Sequence, residues 1–365
     1  MAKSLTALIY ILSFTLSCLF PPISLAQKDF NGLIKGDSSS LRHAFPSAED
    51  WSFEKLSRAM LYAQEIGSSA VVVLHNGRLV LEWGKTNLRI KSHSVRKSLL
   101  SSLYGVAVEK NMIDLSLTLA DLGIDDRPPR LTLDEKQATI LDLLKARSGV
   151  YHGAAAESGN MKRKRPYRGE FSAGEHWYYN NWDFNVLGTI FERQTDMTIG
   201  QAFKEWLADP LEMQDFRLED VHYQWESVSL HPAYPFWISA RDLARFGQLY
   251  LLEGRWNGVQ VLPAAWVNES STSYSDTSRG DGYGYMWWIH PSGAYYADGY
   301  MGQYVVIIPE RQMVIVHRVF TGTPSFNCLS SDTIKELRQL VKPVNGPEFR
   351  RLIDLILEAA PEDSH

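Results

Sequence analysis

Segments that read as β-strands lie toward the two ends of this chain, separated by a long stretch that does not. Residues 70–74 and 78–83 are aliphatic runs joined at Asn76-Gly77, a dipeptide that favours the tightest hairpin turn. Toward the other end, residues 283–289, 294–297, 303–308 and 313–320 read as further strands, with Pro309-Glu310-Arg311-Gln312 turning between the last two. Two strands alone are marginal, and chain ends commonly lie together, so both sets are expected to share one antiparallel sheet. Helical patterns fall at 332–341 and 348–359, and residues 99–268 are mostly helix and loop. An amphipathic stretch over 47–66 places Phe53, Leu56, Met60 and Ala63 on one stripe, with Ser47 and Asp50 as its capping pair. At 365 residues, 45% of them hydrophobic, the chain can bury one large core or two closely joined subdomains.

The first 26 residues read as an export signal. Lys3 is their only charge, an apolar run spans 5–20, Pro21-Pro22 breaks it, and Ser24-Leu25-Ala26 offers a small-residue cleavage site before Gln27. The run is short for a membrane span, and Thr15-Leu16-Ser17 before Cys18 fits a lipoprotein signal poorly. Cleavage would remove Cys18, leaving Cys328 and no intramolecular disulfide in a periplasmic or secreted product. The expected organisation is a signal over 1–26, an extension over 27–46, a domain over 47–345 containing the helical part, and a C-terminal helix and tail over 346–365. A net charge of −5 gives no electrostatic footprint for nucleic acid. The ten histidines form no metal-binding spacing and no Gly-rich phosphate loop is present, so neither metal nor cofactor is expected.

Chemistry enters at Ser94-Val95-Arg96-Lys97. Residues three apart on a helix face the same way, so a Lys97 amine kept neutral by burial can reach the Ser94 hydroxyl and activate it. Ser52-Phe53-Glu54-Lys55 has the same spacing, but it lies on an amphipathic stretch that leaves its lysine solvated. Ser94 instead precedes Leu99, Leu100, Leu103, Tyr104, Val106, Ala107 and Val108, a helix apolar around much of its circumference. Further along, Tyr179-Asn180-Asn181 offers a phenol that can relay a proton and an amide that can hold Lys97 or a substrate carbonyl; packing against a helix over 185–194 is the plainer alternative.

Ser94-x-x-Lys97, Tyr179-x-Asn181 with Asn185-Val186-Leu187-Gly188 after it, and Ala297-Asp298-Gly299-Tyr300-Met301-Gly302-Gln303-Tyr304 stand in this order. Together they resemble the class C β-lactamase-related serine hydrolases, a superfamily of D,D-peptidases, β-lactamase-like esterases and 6-aminohexanoate-dimer hydrolases. The similarity runs over roughly 70–320 and includes Ser148-Gly149, Ser239 to Gly247 and Tyr283-Gly284-Tyr285-Met286-Trp287-Trp288. The resemblance implies an α+β, β-lactamase/transpeptidase-like fold: an antiparallel sheet built from both chain ends and flanked by helices, plus a mostly helical subdomain, with the active site between them. It further implies Ser94 as nucleophile, Lys97 as base, Tyr179 as proton relay, and an oxyanion hole from the Ser94 N–H and a backbone donor near Gly299. Where many relatives carry Lys-Thr-Gly or His-Thr-Gly, this chain has Ala297-Asp298-Gly299, so backbone donation is retained. The usual cation and hydroxyl for a substrate carboxylate are lost, and Asp298 would repel an anionic β-lactam.

The expected function is therefore hydrolysis of a small-molecule amide or ester through a Ser94 acyl-enzyme. A D,D-peptidase or weak β-lactamase, or a catalytically silent binding protein on the same fold, are the alternatives. His152 is a candidate for the rim of the site, and Lys162-Arg163-Lys164-Arg165 for a weak contact with an anionic envelope surface. Gly36-Asp37-Ser38 echoes other serine-hydrolase motifs by chance, in a Ser-rich segment.

Overall fold

The computed structural model describes residues 41–43, 50–324 and 342–362. The signal segment, Gly36-Asp37-Ser38, Ser47, both cysteines and the helix expected over 332–341 lie outside the described residues. In chain order the first half comprises β1 (Arg42–His43), α1 (Phe53–Glu65), β2 (Ala70–His75), β3 (Arg78–Gly84), β4 (Ile90–Lys91), α2 (Val95–Glu109), α3 (Ile140–Leu144), α4 (Gly159–Lys164), α5 (Asn181–Thr195) and α6 (Ile199–Phe203). There follow β5 (Trp237–Ile238), α7 (Ala240–Leu251), β6 (Arg255–Trp256), β7 (Val259–Gln260), α8 (Ala264–Ser270), β8 (Ser275–Asp276), β9 (Gly282–Tyr283) and β10 (Trp288–Ile289). The chain then closes with β11 (Tyr295–Gly299), β12 (Gln303–Ile308), β13 (Met313–Arg318) and α9 (Gly346–Ala359).

The strands from the two ends join in one sheet of order β1-β3-β2-β13-β12-β11-β10-β9-β8. The seam between them is β2 against β13, antiparallel, with Val72 opposite Val316 and Leu74 opposite Val314. Asn76 and Gly77 both take positive φ, 49° and 72°, which gives the hairpin the twist its strands require. Alternation along the strands splits the core into two layers. Val71, Val73, Val306, Met313 and Ile315 pack under α1 and α9, whereas Val72, Leu74, Val305, Ile307, Val314 and Val316 face α2 and α7.

Three local expectations are corrected. Helix α1 starts at Phe53 and is capped by Ser52, whose hydroxyl accepts the Lys55 N–H at 3.4 Å, while Asp50 sits in a turn at φ 57°. The Ser52-x-x-Lys55 spacing is thus a helix cap, and Phe53 lies more than half exposed off the buried stripe of Leu56, Ala59, Met60 and Ala63. Residues 283–289 do not form one strand. They fold into a hairpin in which Tyr283 faces Trp288, because the chain reverses at Met286, which takes φ 64°. Third, α7 falls inside the stretch read as the helical subdomain, yet it packs on β2, β12 and β13 as part of the sheet's own cover.

Candidate active site

Two buried connections hold Ser94 in place. Arg318 at the end of β13 is fully buried and donates from Nη2 to the Ile90 carbonyl, from Nη1 to the Ile238 carbonyl and from Nε to Gln303 Oε1, each at 2.7 Å. Those bonds tie the short β4–β5 pair, and with it the turn that precedes Ser94, to the central sheet. Ser92 then donates its N–H to the Phe236 carbonyl at 2.8 Å. Ser94 occupies the cap position of α2, and the next residues, Val95 to Ala107, are all buried.

One turn into that helix, Lys97 Nζ lies 2.9 Å from Ser94 Oγ and 2.7 Å from Tyr179 Oη. Tyr179 comes from the turn before α5, which is fixed by a buried network. Asn180 accepts the Trp182 N–H at 3.2 Å and donates to the Val150 carbonyl at 2.7 Å and to Asp183 Oδ1 at 2.8 Å, where Ser148 also donates at 2.6 Å. The Tyr179 ring lies against Phe184, Tyr283 and Trp288, with centroids 5.1–6.1 Å away.

Burial dominates the electrostatics. It pushes the Lys97 amine well below the ordinary lysine range, the neighbouring Arg96 cation adds to that, and Asp298 opposes it. Arg96 is itself buried, donating to Asn185 Oδ1 at 2.8 Å and lying 4.1 Å over the Tyr234 ring. Burial raises the Tyr179 phenol above its usual range, against a hydrogen bond with Ser94. Both shifts favour the uncharged forms, an amine and a phenol in contact with a hydroxyl. An uncharged amine at this distance is a group that can take a proton from a hydroxyl.

The third motif runs beside Ser94 on β11. A side chain at Gly299 would bring its Cβ to 2.5 Å from the Ser92 carbonyl oxygen, so only glycine lets the strand lie this close to the turn before Ser94. β10 pairs with β11 only at Tyr295 and Tyr296, which leaves the backbone edge of residues 297–299 without a β10 partner. Tyr300, 68% exposed, follows β11 with its ring edge-on to His93, 5.5 Å between centroids.

Three of the residues singled out from the sequence sit differently from their expectation. Asn181 is the first residue of α5 and turns its amide to the Ala156 carbonyl at 2.7 Å and the Ala155 carbonyl at 3.4 Å, bracing the segment that follows His152 rather than holding Lys97. His152 is buried, its two ring nitrogens 3.0 Å from the Gly153 carbonyl and 3.1 Å from the Arg127 carbonyl, so it fastens loops and does not line the rim. Asp298 is not a lone charge, because Arg279 Nη1 donates to its Oδ2 at 2.7 Å. Lys162, Arg163 and Lys164 are exposed at the end of α4, whereas Arg165 pairs with Glu157.

Arg96 and Arg279 are the contributors that spacing rules passed over. A second cation directly before the lysine, at the head of a helix this apolar, was the available signal for Arg96. Arg279 had none, since it lies in the β8–β9 turn and its partner Asp298 on β11.

The fold and the Ser–Lys–Tyr cluster define a β-lactamase-type serine hydrolase. The β-lactamase family model matches residues 53–327, and the chain belongs to that family. An uncharacterized protein of Alkalihalophilus pseudofirmus is 23% identical over 306 residues, 73% of this chain and 88% of that one. Among solved structures, the chain is similar to a protein provisionally named a 6-aminohexanoate-dimer hydrolase from Bacillus anthracis, with TM-score 0.60 and 21% identity over 88% of this chain and 89% of that one. It is also similar to a family VIII carboxylesterase, with TM-score 0.61 and 13% identity over 84% and 97% of the two chains. A penicillin-binding protein homologue from Pyrococcus abyssi, an octamer, gives 0.56 and 18% over 79% and 76%.

Proposed function

We propose that this protein is an exported hydrolase that cleaves a small amide or ester through an acyl-enzyme on Ser94. What carries the reading is Lys97, a buried amine within hydrogen-bond reach of both a serine hydroxyl and a tyrosine hydroxyl. In the proposed reaction Ser94 Oγ bonds to the substrate carbonyl carbon as its proton passes to Lys97 Nζ. The resulting oxyanion is held by the Ser94 N–H and a backbone donor on the 297–299 edge. As the carbon–nitrogen or carbon–oxygen bond breaks, Tyr179 passes a proton to the leaving amine or alkoxide and is reprotonated from Lys97. Water then attacks the acyl-Ser94 ester along the reverse proton path, releasing the acid and restoring the hydroxyl.

Chromogenic esters, anilides and β-lactams offered to the mature protein test this directly. Turnover of esters or amides that is lost in Ser94→Ala and kept in Ser52→Ala is the expected result, and Lys97→Ala and Tyr179→Phe should each lower kcat/KM by ~10²–10⁴ while unfolding stays cooperative. Full activity in Ser94→Ala would reject the nucleophile. Faster turnover of penicillins than of any ester would favour the D,D-peptidase or β-lactamase reading.

A further inference from the structure

The β8–β9 turn reaches over β11 at two points. Asp281 Oδ2 accepts from Tyr296 Oη at 2.8 Å, and Arg279 Nη1 donates to Asp298 Oδ2 at 2.7 Å. The Arg279 guanidinium lies 4.4 Å over the Trp288 ring, which packs on Tyr179 with centroids 5.4 Å apart. The cation therefore stands on the same aromatic wall as the phenol that contacts Lys97. Its side chain is 54% exposed and that of Asp298 only 18%. A molecule arriving from solvent meets a guanidinium whose charge is already balanced by a largely covered carboxylate.

We propose that the Arg279–Asp298 ion pair sets the charge class of the substrate, compensating itself at the mouth of the site so that neutral esters or amides are accepted and charged ones disfavoured. This rests on Ser94 being the nucleophile. A guanidinium with nothing bound grips a carboxylate in a fork of two hydrogen bonds. Here a substrate carboxylate would have to displace Asp298 or lie beside it, a like-charge contact, and a substrate ammonium would meet the same objection from Arg279. A neutral group meets neither. The departure from Lys-Thr-Gly on this strand is thus accompanied by a cation supplied from a different turn, held in check by the carboxylate that replaced the hydroxyl.

The test is the rate at which two phosphonate probes of matched size, one neutral and one bearing a carboxylate, label Ser94. It is read as the anionic-to-neutral ratio in the unmodified protein, Asp298→Asn, Arg279→Gln and the double variant. The ratio should rise roughly tenfold in Asp298→Asn, fall by a similar factor in Arg279→Gln, and return to within about threefold of the starting value when both are changed. Arg279 lies on an exposed turn, so its variant reads the sign of the effect even if the Asp298 change disturbs the strand. Ratios unchanged in both single variants, with Ser94 still labelled, would overturn the charge assignment and leave the nucleophile standing. Absence of labelling at Ser94 by either probe in the unmodified protein would remove both.

Discussion

Arg96 and Lys97 are adjacent buried basic residues, and the fold gives each its own partners. Arg96 is held by Asn185 and the Tyr234 ring, Lys97 by Ser94 and Tyr179. Because burial and Arg96 both favour the neutral amine, activity that depends on neutral Lys97 should fall only when pH drops below a value well under the ordinary lysine range. Arg96→Gln keeps a donor for Asn185 and removes the charge. Lys97 then holds its proton more tightly, and the acid limb of the kcat/KM profile should move to higher pH. A limb that stays in place would show that Lys97 does not govern it. The spacing of Ser94 and Lys97 was legible in the sequence because one helical turn fixes it. The carbonyls that face the Asn181 Nδ2 and the His152 ring were not, since only the folded loops bring them near.

Among the elements, those fixed by strong local chemistry were the readable ones. The β2–β3 hairpin follows from Asn76-Gly77, and β12 spans Gln303–Ile308 as its aliphatic run indicates. The hairpin of β9 and β10 was hidden because Tyr283 to Ile289 is rich in aromatic residues that favour a strand, and the reversal falls at Met286, a residue with no turn preference, rather than at Gly284. The sheet brings β11 against the turn before Ser94, and Gly299 sets how close they lie. Gly299→Ala must push the strand away from the Ser92 carbonyl. A shift of about 1 Å in the proposed oxyanion donor is expected to lower kcat/KM on the order of 10²-fold. Wild-type turnover in a folded Gly299→Ala protein would place the oxyanion donor elsewhere.

For the whole molecule, the two-ended sheet was foreseen from the distribution of strands, but the side chains that lock its layers were not. His317 is one of them. Buried on β13, it lies 2.7 Å from both Ser68 Oγ and the Gly302 carbonyl, joining the start of β2 to the bend after β11. Burial lowers it to about 4, against an unfolded value near 6.5. Between those two pH values the unfolded chain binds a proton that the folded one refuses, so stability falls as pH drops through this window and levels off below it. The difference is worth about 3 kcal/mol. Denaturant titrations from pH 7 to pH 4 should show that loss, and His317→Gln should remove this contribution even if it is less stable at neutral pH. An unchanged pH slope in the variant would mean that His317 is not the group responsible. Arg279 and Asp298, 19 residues apart in sequence, illustrate the same limit, because their meeting depends on how the β8–β9 turn folds over β11.

In the proposed reaction a covalent acyl group forms on Ser94 during turnover. Rapid acid quenching of the protein with an ester it hydrolyses, followed by intact-mass and peptide analysis, measures this most directly. The expected result is a mass increase equal to the acyl group, confined to the peptide containing Ser94 and absent in Ser94→Ala. Turnover with no adduct in the unmodified protein even when deacylation is slowed, or an adduct on another serine, would contradict it.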